Sequence, residues 1–235
     1  MEKPIVFVGL DYDNQQDNIK FAEELAKKVS SNRYGFKVNL DSVANFSPSA
    51  TSSYSFVKEV MSHGKPVFVD MKMWNGERTM RNVAKGCAEL GVNIINMYPH
   101  AGKKSMTEVL EAINGSNTRL FGLTVLTHYT ERDMKIYGRS FSESVKMFAQ
   151  MSYDYGAHGI ILPGTELKTV KDIPSLKLCP GIRPNWYNLK DNDQEQVVTP
   201  SEAIDNGANY IVVSSAIRKS RDGPEALERI LLEIK

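Results

Sequence analysis

Residues 67–75 read VFVDMKMWN, an apolar run that ends in an acid and a base two positions apart. In an extended strand, residues two apart point the same way, so Asp70 and Lys72 are expected on one face, with Asn75 three residues on. Two other apolar runs also end in charge. VGLDYDN delivers Asp11 and then Asp13, and GFKVNL carries Lys37. A charge at the end of a buried strand is costly unless it is paired. Asp70 and Lys72 taken alone fit a structural salt bridge. Three strands each bringing a charge to one rim fit a preorganised array facing a small polar ligand.

A second group of residues suits an anion. CPGIRP places Pro180 and Arg183 after one run, and VVSSAIRKSR places Ser214 and Ser215 before Arg218, Lys219 and Arg221. Serine hydroxyls and backbone N–H groups at a helix start bind phosphate in many α/β proteins. Any one of the three basic residues is otherwise a solvated helix-entry charge. The four histidines are scattered, with no HxH or HxxxH pair, so no metal site is expected. Trp74 and Trp186 flank the expected mouth, Trp186 either capping a ligand or packing its loop. Cys87, on a helical stripe, reads as a core residue, and Cys179, at the end of the seventh run, as a possible pocket residue with nothing beside it in sequence to activate the thiol.

The elements that must position these groups follow from the apolar pattern. Eight short runs, at 5–10, 35–40, 66–69, 92–97, 120–126, 159–162, 176–179 and 210–213, are rich in Val, Ile and Phe and lack strict polar alternation. Strands buried on both faces read this way. Amphipathic stretches lie between them, and Gly91, Gly156 and Gly207 close three of these as expected left-handed caps. Eight βα units without a change of composition predict one (β/α)8 barrel spanning 1–235, with its site at the C-terminal ends of the strands. An open doubly wound sheet fits less well, because the first strand is not followed by a glycine-rich dinucleotide turn. The polar stretch 183–196 is the longest without periodicity and reads as a lid or a disordered loop.

The chain has 235 residues, a formal charge of +1, 41% hydrophobic and 24% charged residues. That balance argues against a nucleic-acid footprint or a membrane-surface patch, and no apolar run approaches a bilayer span. With two distant cysteines, no disulfide framework and no signal-peptide layout at the start, a cytoplasmic protein is expected.

Together these segments resemble the orotidine 5′-monophosphate decarboxylase family over nearly the whole chain. DMKMWN resembles its DxKxxD signature, VGLDYDN and GFKVN its first two strands, LTVLT its fifth. CPGIRP and DNDQEQVVTPSEAIDNGANYIVV resemble its seventh strand, phosphate loop and eighth strand. The resemblance implies a lyase that converts orotidine 5′-phosphate to UMP and CO2 without a cofactor. It implies Lys72 as proton donor in an array with Lys37 and Asp70, and Asp11 at the ribose. It also implies Thr127 lining the nucleotide pocket, Pro180 flanking the pyrimidine and Gln194 reaching both base and phosphate. The family is a homodimer whose fourth signature position, here Asn75, enters the partner's site.

Three positions depart from the family pattern. Asn75 replaces an aspartate, which leaves one anion and two cations in the signature array. Ser214-Ser215 replaces the pair Gly-Arg that grips phosphate, leaving Arg218 or Arg183 as substitutes. His128 replaces a serine that reads the base. Three alternatives therefore stand: the decarboxylase itself, a divergent enzyme acting on another nucleotide, nucleoside or modified pyrimidine, and a barrel that binds a nucleotide without chemistry.

Overall fold

A computed structural model describes residues 3–187 and 197–234. Eight parallel strands pair in sequence order and close on themselves: β1 (Ile5–Leu10), β2 (Tyr34–Asn39), β3 (Val67–Met73), β4 (Ile94–Met97), β5 (Arg119–Leu123), β6 (Gly159–Ile161), β7 (Leu176–Cys179) and β8 (Tyr210–Val213). The expected (β/α)8 barrel is met. β1 pairs with β2 on one side and β8 on the other. Helices α1 (Gln15–Lys28), α2 (Leu40–Val43), α3 (Ser53–Met61), α4 (Glu77–Leu90), α5 (Lys103–Ala112), α6 (Phe141–Asp154), α7 (Pro200–Asp205), α8 (Ser215–Arg218) and α9 (Gly223–Glu233) lie in the connections.

Strand alternation sorts the apolar residues into two shells. Val6, Val8 and Leu10 of β1, with Tyr34, Phe36 and Val38 of β2, join the shell between strands and helices. Phe7, Phe68, Ile94, Phe121, Leu123, Ile161, Leu178, Tyr210 and Val212 form a separate cluster inside the barrel. Its aromatic rings meet at 5.8 to 5.9 Å, with Phe7 edge-on to Phe68 and Phe121 edge-on to Tyr210. This plug fills the lower barrel. Continuing the same inward alternation upward gives Gly9 and Asp11, Lys37 and Asn39, Asp70, and Asn96. The polar layer is therefore the top storey of the barrel interior.

Local sequence explains the ends of the helices. Asn14, Ser52 and Asp222 cap α1, α3 and α9 through side-chain acceptors. Full capping boxes open α6 (Ser140 with Glu143) and α7 (Thr199 with Glu202). Gly91, Gly156 and Gly207 have φ of 88°, 87° and 97°, as expected of left-handed caps. The connection after β6 differs from the expected helix: it holds only a 3₁₀ turn at Gly164–Glu166. Leu167, Val170 and Ile173 are buried at steps of three, the period of tight turns, and Pro174 follows. β3 runs four residues past its expected end. β5 stops three residues short, where Thr124 still donates to Ile161 O at 2.9 Å before the chain turns toward the barrel mouth.

Candidate functional site

The top of the barrel opens into a cavity of about 830 Å³. Its wall contains Asp11, Lys37, Asp70, Lys72, Thr127, His128, Pro180, Arg183, Ser214 and Ser215. Ten of the twelve residues singled out from the sequence thus meet at one opening. Gln194 lies outside the described residues. Asn75 is exposed and is not part of the wall. Its side-chain oxygen accepts from Gly76 N at 2.7 Å, at the start of α4. A single chain therefore does not bring Asn75 to the array.

The charges form a chain of contacts. Lys72 Nζ lies 2.7 Å from Asp70 Oδ2. Lys37 Nζ lies 3.8 Å from the same oxygen and 3.1 Å from Asp11 Oδ1. Lys37 also donates to Asn39 Oδ1, and Asn39 Nδ2 donates to Asp11 Oδ1 at 2.6 Å. Within the signature, Asp70 is the single anion beside two cations, as expected. Asp11 belongs to the network, so one chain supplies two carboxylates and two ammonium groups. Lys37 is the most enclosed, with 9% of its side chain exposed, whereas 38% of the Lys72 side chain remains open to the cavity. Burial alone would raise the Asp11 carboxyl. Lys37, the Ser214 hydroxyl and Arg218 outweigh it and hold the group below its ordinary value.

The expectation that Asp70 and Lys72 share a face is met by a less simple route than strand alternation. Lys72 is the one described non-glycine residue with positive φ, at 49°. Such a conformation costs an L-residue roughly 1–2 kcal/mol. Val69 pairs with Ile95 and Met73 with Met97, so Asp70, Met71 and Lys72 stand opposite Asn96 alone. The bulge turns Lys72 back over Asp70. Asn96 fills the gap: its amide donates to Asp70 Oδ1 and accepts from Lys72 N, both at 2.7 Å. The sequence reading did not single it out. The one available signal is an amide in the apolar run VNIINM, and such a residue ordinarily reads as a satisfied core group.

The opposite wall is cationic. Ser215 Oγ and Arg218 Nε are both buried and have no hydrogen-bond partner among the described residues. The Arg218 guanidinium lies over the Tyr12 ring, 5.0 Å from its centre, within cation–π range. Arg183 and Lys219 also line this side. Arg183 N donates to Val198 O at 3.0 Å, and Ile182 bridges Val198. Trp186 does not face the cavity. It packs under Arg229 of α9, 4.6 Å from the ring centre, which decides for loop packing. Trp74 stands outside as well, edge-on to His100 at 4.6 Å. Neither thiol lines the cavity, and burial pushes Cys87 up to about 11 and raises Cys179 further, which disfavours a thiolate.

The family model described as orotidine 5′-phosphate decarboxylase / HUMPS matches residues 4–230. The chain belongs to this family. Orotidine 5′-phosphate decarboxylase of Nautilia profundicola is 31% identical over 234 residues, with 97% of each chain covered. The enzyme of the same name from Aliivibrio fischeri is 29% identical, covering 100% of this chain and 98% of its own. Among solved structures, orotidine 5′-phosphate decarboxylase from Lactobacillus acidophilus superposes with a TM-score of 0.80 at 26% identity, with both chains fully covered. An uncharacterized conserved protein from Geobacillus kaustophilus gives 0.78 at 22% identity and speaks for the fold alone. Family membership makes a carboxy-lyase the coarse expectation for the cavity. Among the described residues no helix is long and apolar enough to cross a membrane.

Proposed function

We propose that the protein is an orotidine 5′-phosphate decarboxylase, releasing CO2 from the pyrimidine ring to leave UMP. The observation that carries this is Lys72 Nζ at 2.7 Å from Asp70 Oδ2, inside a cavity whose far wall bears an arginine. The volume of about 830 Å³ lies within the range of small-molecule sites and suits a nucleotide.

In this scheme the bond between the ring carbon and its carboxylate breaks, and the electron pair stays on the ring. The Lys72 ammonium stabilises that developing charge and then transfers its proton to the carbon. Solvent returns a proton to the amine after product leaves. Asp70 holds the ammonium beside the reacting carbon, and Lys37 neutralises the oxygen that Asp70 shares. Asp11 and Asn39, bound to Lys37, present acceptors and donors to the ribose. Thr127, His128 and Pro180 surround the base. The phosphate goes to Ser215 and Arg218, whose buried Oγ and Nε lack partners among the described residues. Arg218 thereby does the work of the arginine that the family carries at the Ser215 position. Gln194 and the homodimer with Asn75 at a partner's mouth are carried over as part of this proposal.

His128 favours a second possibility. An exposed imidazole in the cavity wall reads a base differently from a serine hydroxyl, which suits a modified pyrimidine. The test is turnover of orotidine 5′-phosphate by purified protein, followed by the loss of substrate absorbance. Decarboxylation supports the first assignment. Tight UMP binding without turnover supports the non-catalytic barrel, and turnover restricted to a modified pyrimidine nucleotide supports the second.

A further inference from the structure

We infer that Asn96 is a positioning residue for Lys72, acting through the β3 bulge. The inference takes the proposed decarboxylation as its setting, but its basis is geometric. Asn96 is fully buried, and both ends of its amide are used in one place. One end takes the backbone N–H of Lys72, which the interrupted ladder would otherwise leave without a partner. The other end holds Asp70 Oδ1, so that Oδ2 faces Lys72 and Lys37. One side chain therefore fixes both members of the ion pair: the carboxylate by its orientation and the lysine by its backbone.

The device answers a specific physical problem. Lys72 occupies a left-handed backbone conformation that lysine rarely adopts. A conformation of this kind persists only where its surroundings over-determine it. An extended Lys72 would stay on the face of Asp70 but restore regular pairing with β4, drawing its N–H off Asn96 and shifting the ammonium along the strand. Asn96 stands where that pairing would form and substitutes its own amide for it. A side chain of the same size without the amide, such as leucine, would fill the space yet leave the Lys72 N–H unsatisfied. Misplacement of a reacting group by about 1 Å is enough to slow catalysis about 100-fold. Asn96 also lines the cavity, but the proposed ribose, base and phosphate contacts fall to other residues, so KM is expected to change little.

The experiment compares wild type, Asn96→Leu and Asn96→Asp for kcat and KM on orotidine 5′-phosphate, with crystal structures of both variants. For Asn96→Leu we expect kcat to fall about 100-fold with KM within about threefold, and Lys72 to leave the left-handed region. Asn96→Asp keeps the acceptor for Lys72 N and loses the donor to Asp70. We expect it to retain the Lys72 torsion and to recover part of kcat. The inference is overturned if Lys72 keeps its backbone conformation in Asn96→Leu, or if kcat and KM worsen together. Should Asn96→Leu not fold, Asn96→Asp decides: an unchanged kcat overturns the inference, and a tenfold or larger loss with Lys72 in place supports it. If wild type itself does not turn over the nucleotide, the proposed reaction fails, and the role of Asn96 is still judged on the Lys72 torsion in the variant structures.

Discussion

Asp70 holds Lys72 by one carboxylate oxygen, Oδ2 to Nζ at 2.7 Å, while its other oxygen is taken by Asn96. The same Oδ2 lies 3.8 Å from Lys37. Removing the carboxylate leaves two ammonium groups facing each other. Asp70→Asn is therefore expected to lose roughly 3 kcal/mol of stability, the lower part of the range for breaking a buried pair because Lys72 is partly open to solvent. Urea denaturation of both proteins checks this, and an unchanged midpoint would contradict it.

Arg218 is expected to read phosphate and nothing else. Its guanidinium lies over the Tyr12 ring, and its Nε has no partner among the described residues. Charge-assisted hydrogen bonds contribute about 1.5–3 kcal/mol. Arg218→Ala should then weaken UMP binding about 10- to 100-fold and leave uridine binding unchanged. Arg218→Lys should restore only part, since an ammonium lacks the planar fork. Isothermal titration with the two ligands measures both. An equal loss for uridine and UMP would place the phosphate elsewhere.

Asp11 gives the site a pH dependence whose sign is fixed. Its folded carboxyl is held below the ordinary value of 3.8, with Lys37 and Ser214 outweighing burial. A depressed carboxyl stabilises the fold above its unfolded pKa, and that contribution is lost as pH falls through the folded value. The stability difference between wild type and Asp11→Asn should be constant near neutrality and shrink below about pH 4. Thermal unfolding across pH 2.5 to 7 tests this; a difference that grows on acidification would contradict it.

Gly9 makes room for the array. A Cβ there would stand 2.7 Å from Asp11 Oδ2 and 2.7 Å from Ser214 Cβ. Neither strand can retreat inside a closed barrel, so overpacking costs about 1–3 kcal/mol. Gly9→Ala should lower both stability and nucleotide affinity, because Asp11 must swing out of the cavity. A variant with native affinity would show that Asp11 is not a ligand contact.

Much of this was legible before any coordinates. Charges at the ends of apolar runs gave Asp11, Lys37, Asp70 and Lys72, because a barrel core does not tolerate such groups and its rim does. The parallel barrel itself followed from runs that are apolar on both faces. Register was not legible. Asn96 matters because three residues of β3 face it alone, and a shift of pairing leaves no mark in either strand's composition. Likewise, the pairing of Asp11 with Lys37 depends on Gly9 and Lys37 being neighbours across β1 and β2. Trp186 read as a possible cap until its ring was seen beneath Arg229. The missing helix after β6 was hidden by steps of three that resemble a helical stripe over a short span.

The central claim is that Lys72 donates the proton that replaces CO2. Its most direct test is release of labelled CO2 from carboxyl-labelled orotidine 5′-phosphate by wild type and Lys72→Ala, each shown to bind UMP. We expect release by wild type and a loss of at least about 100-fold in the variant, the lower bound for a positioned general acid. Wild type that binds UMP yet releases no label, or a variant that releases it at the native rate, would contradict the account.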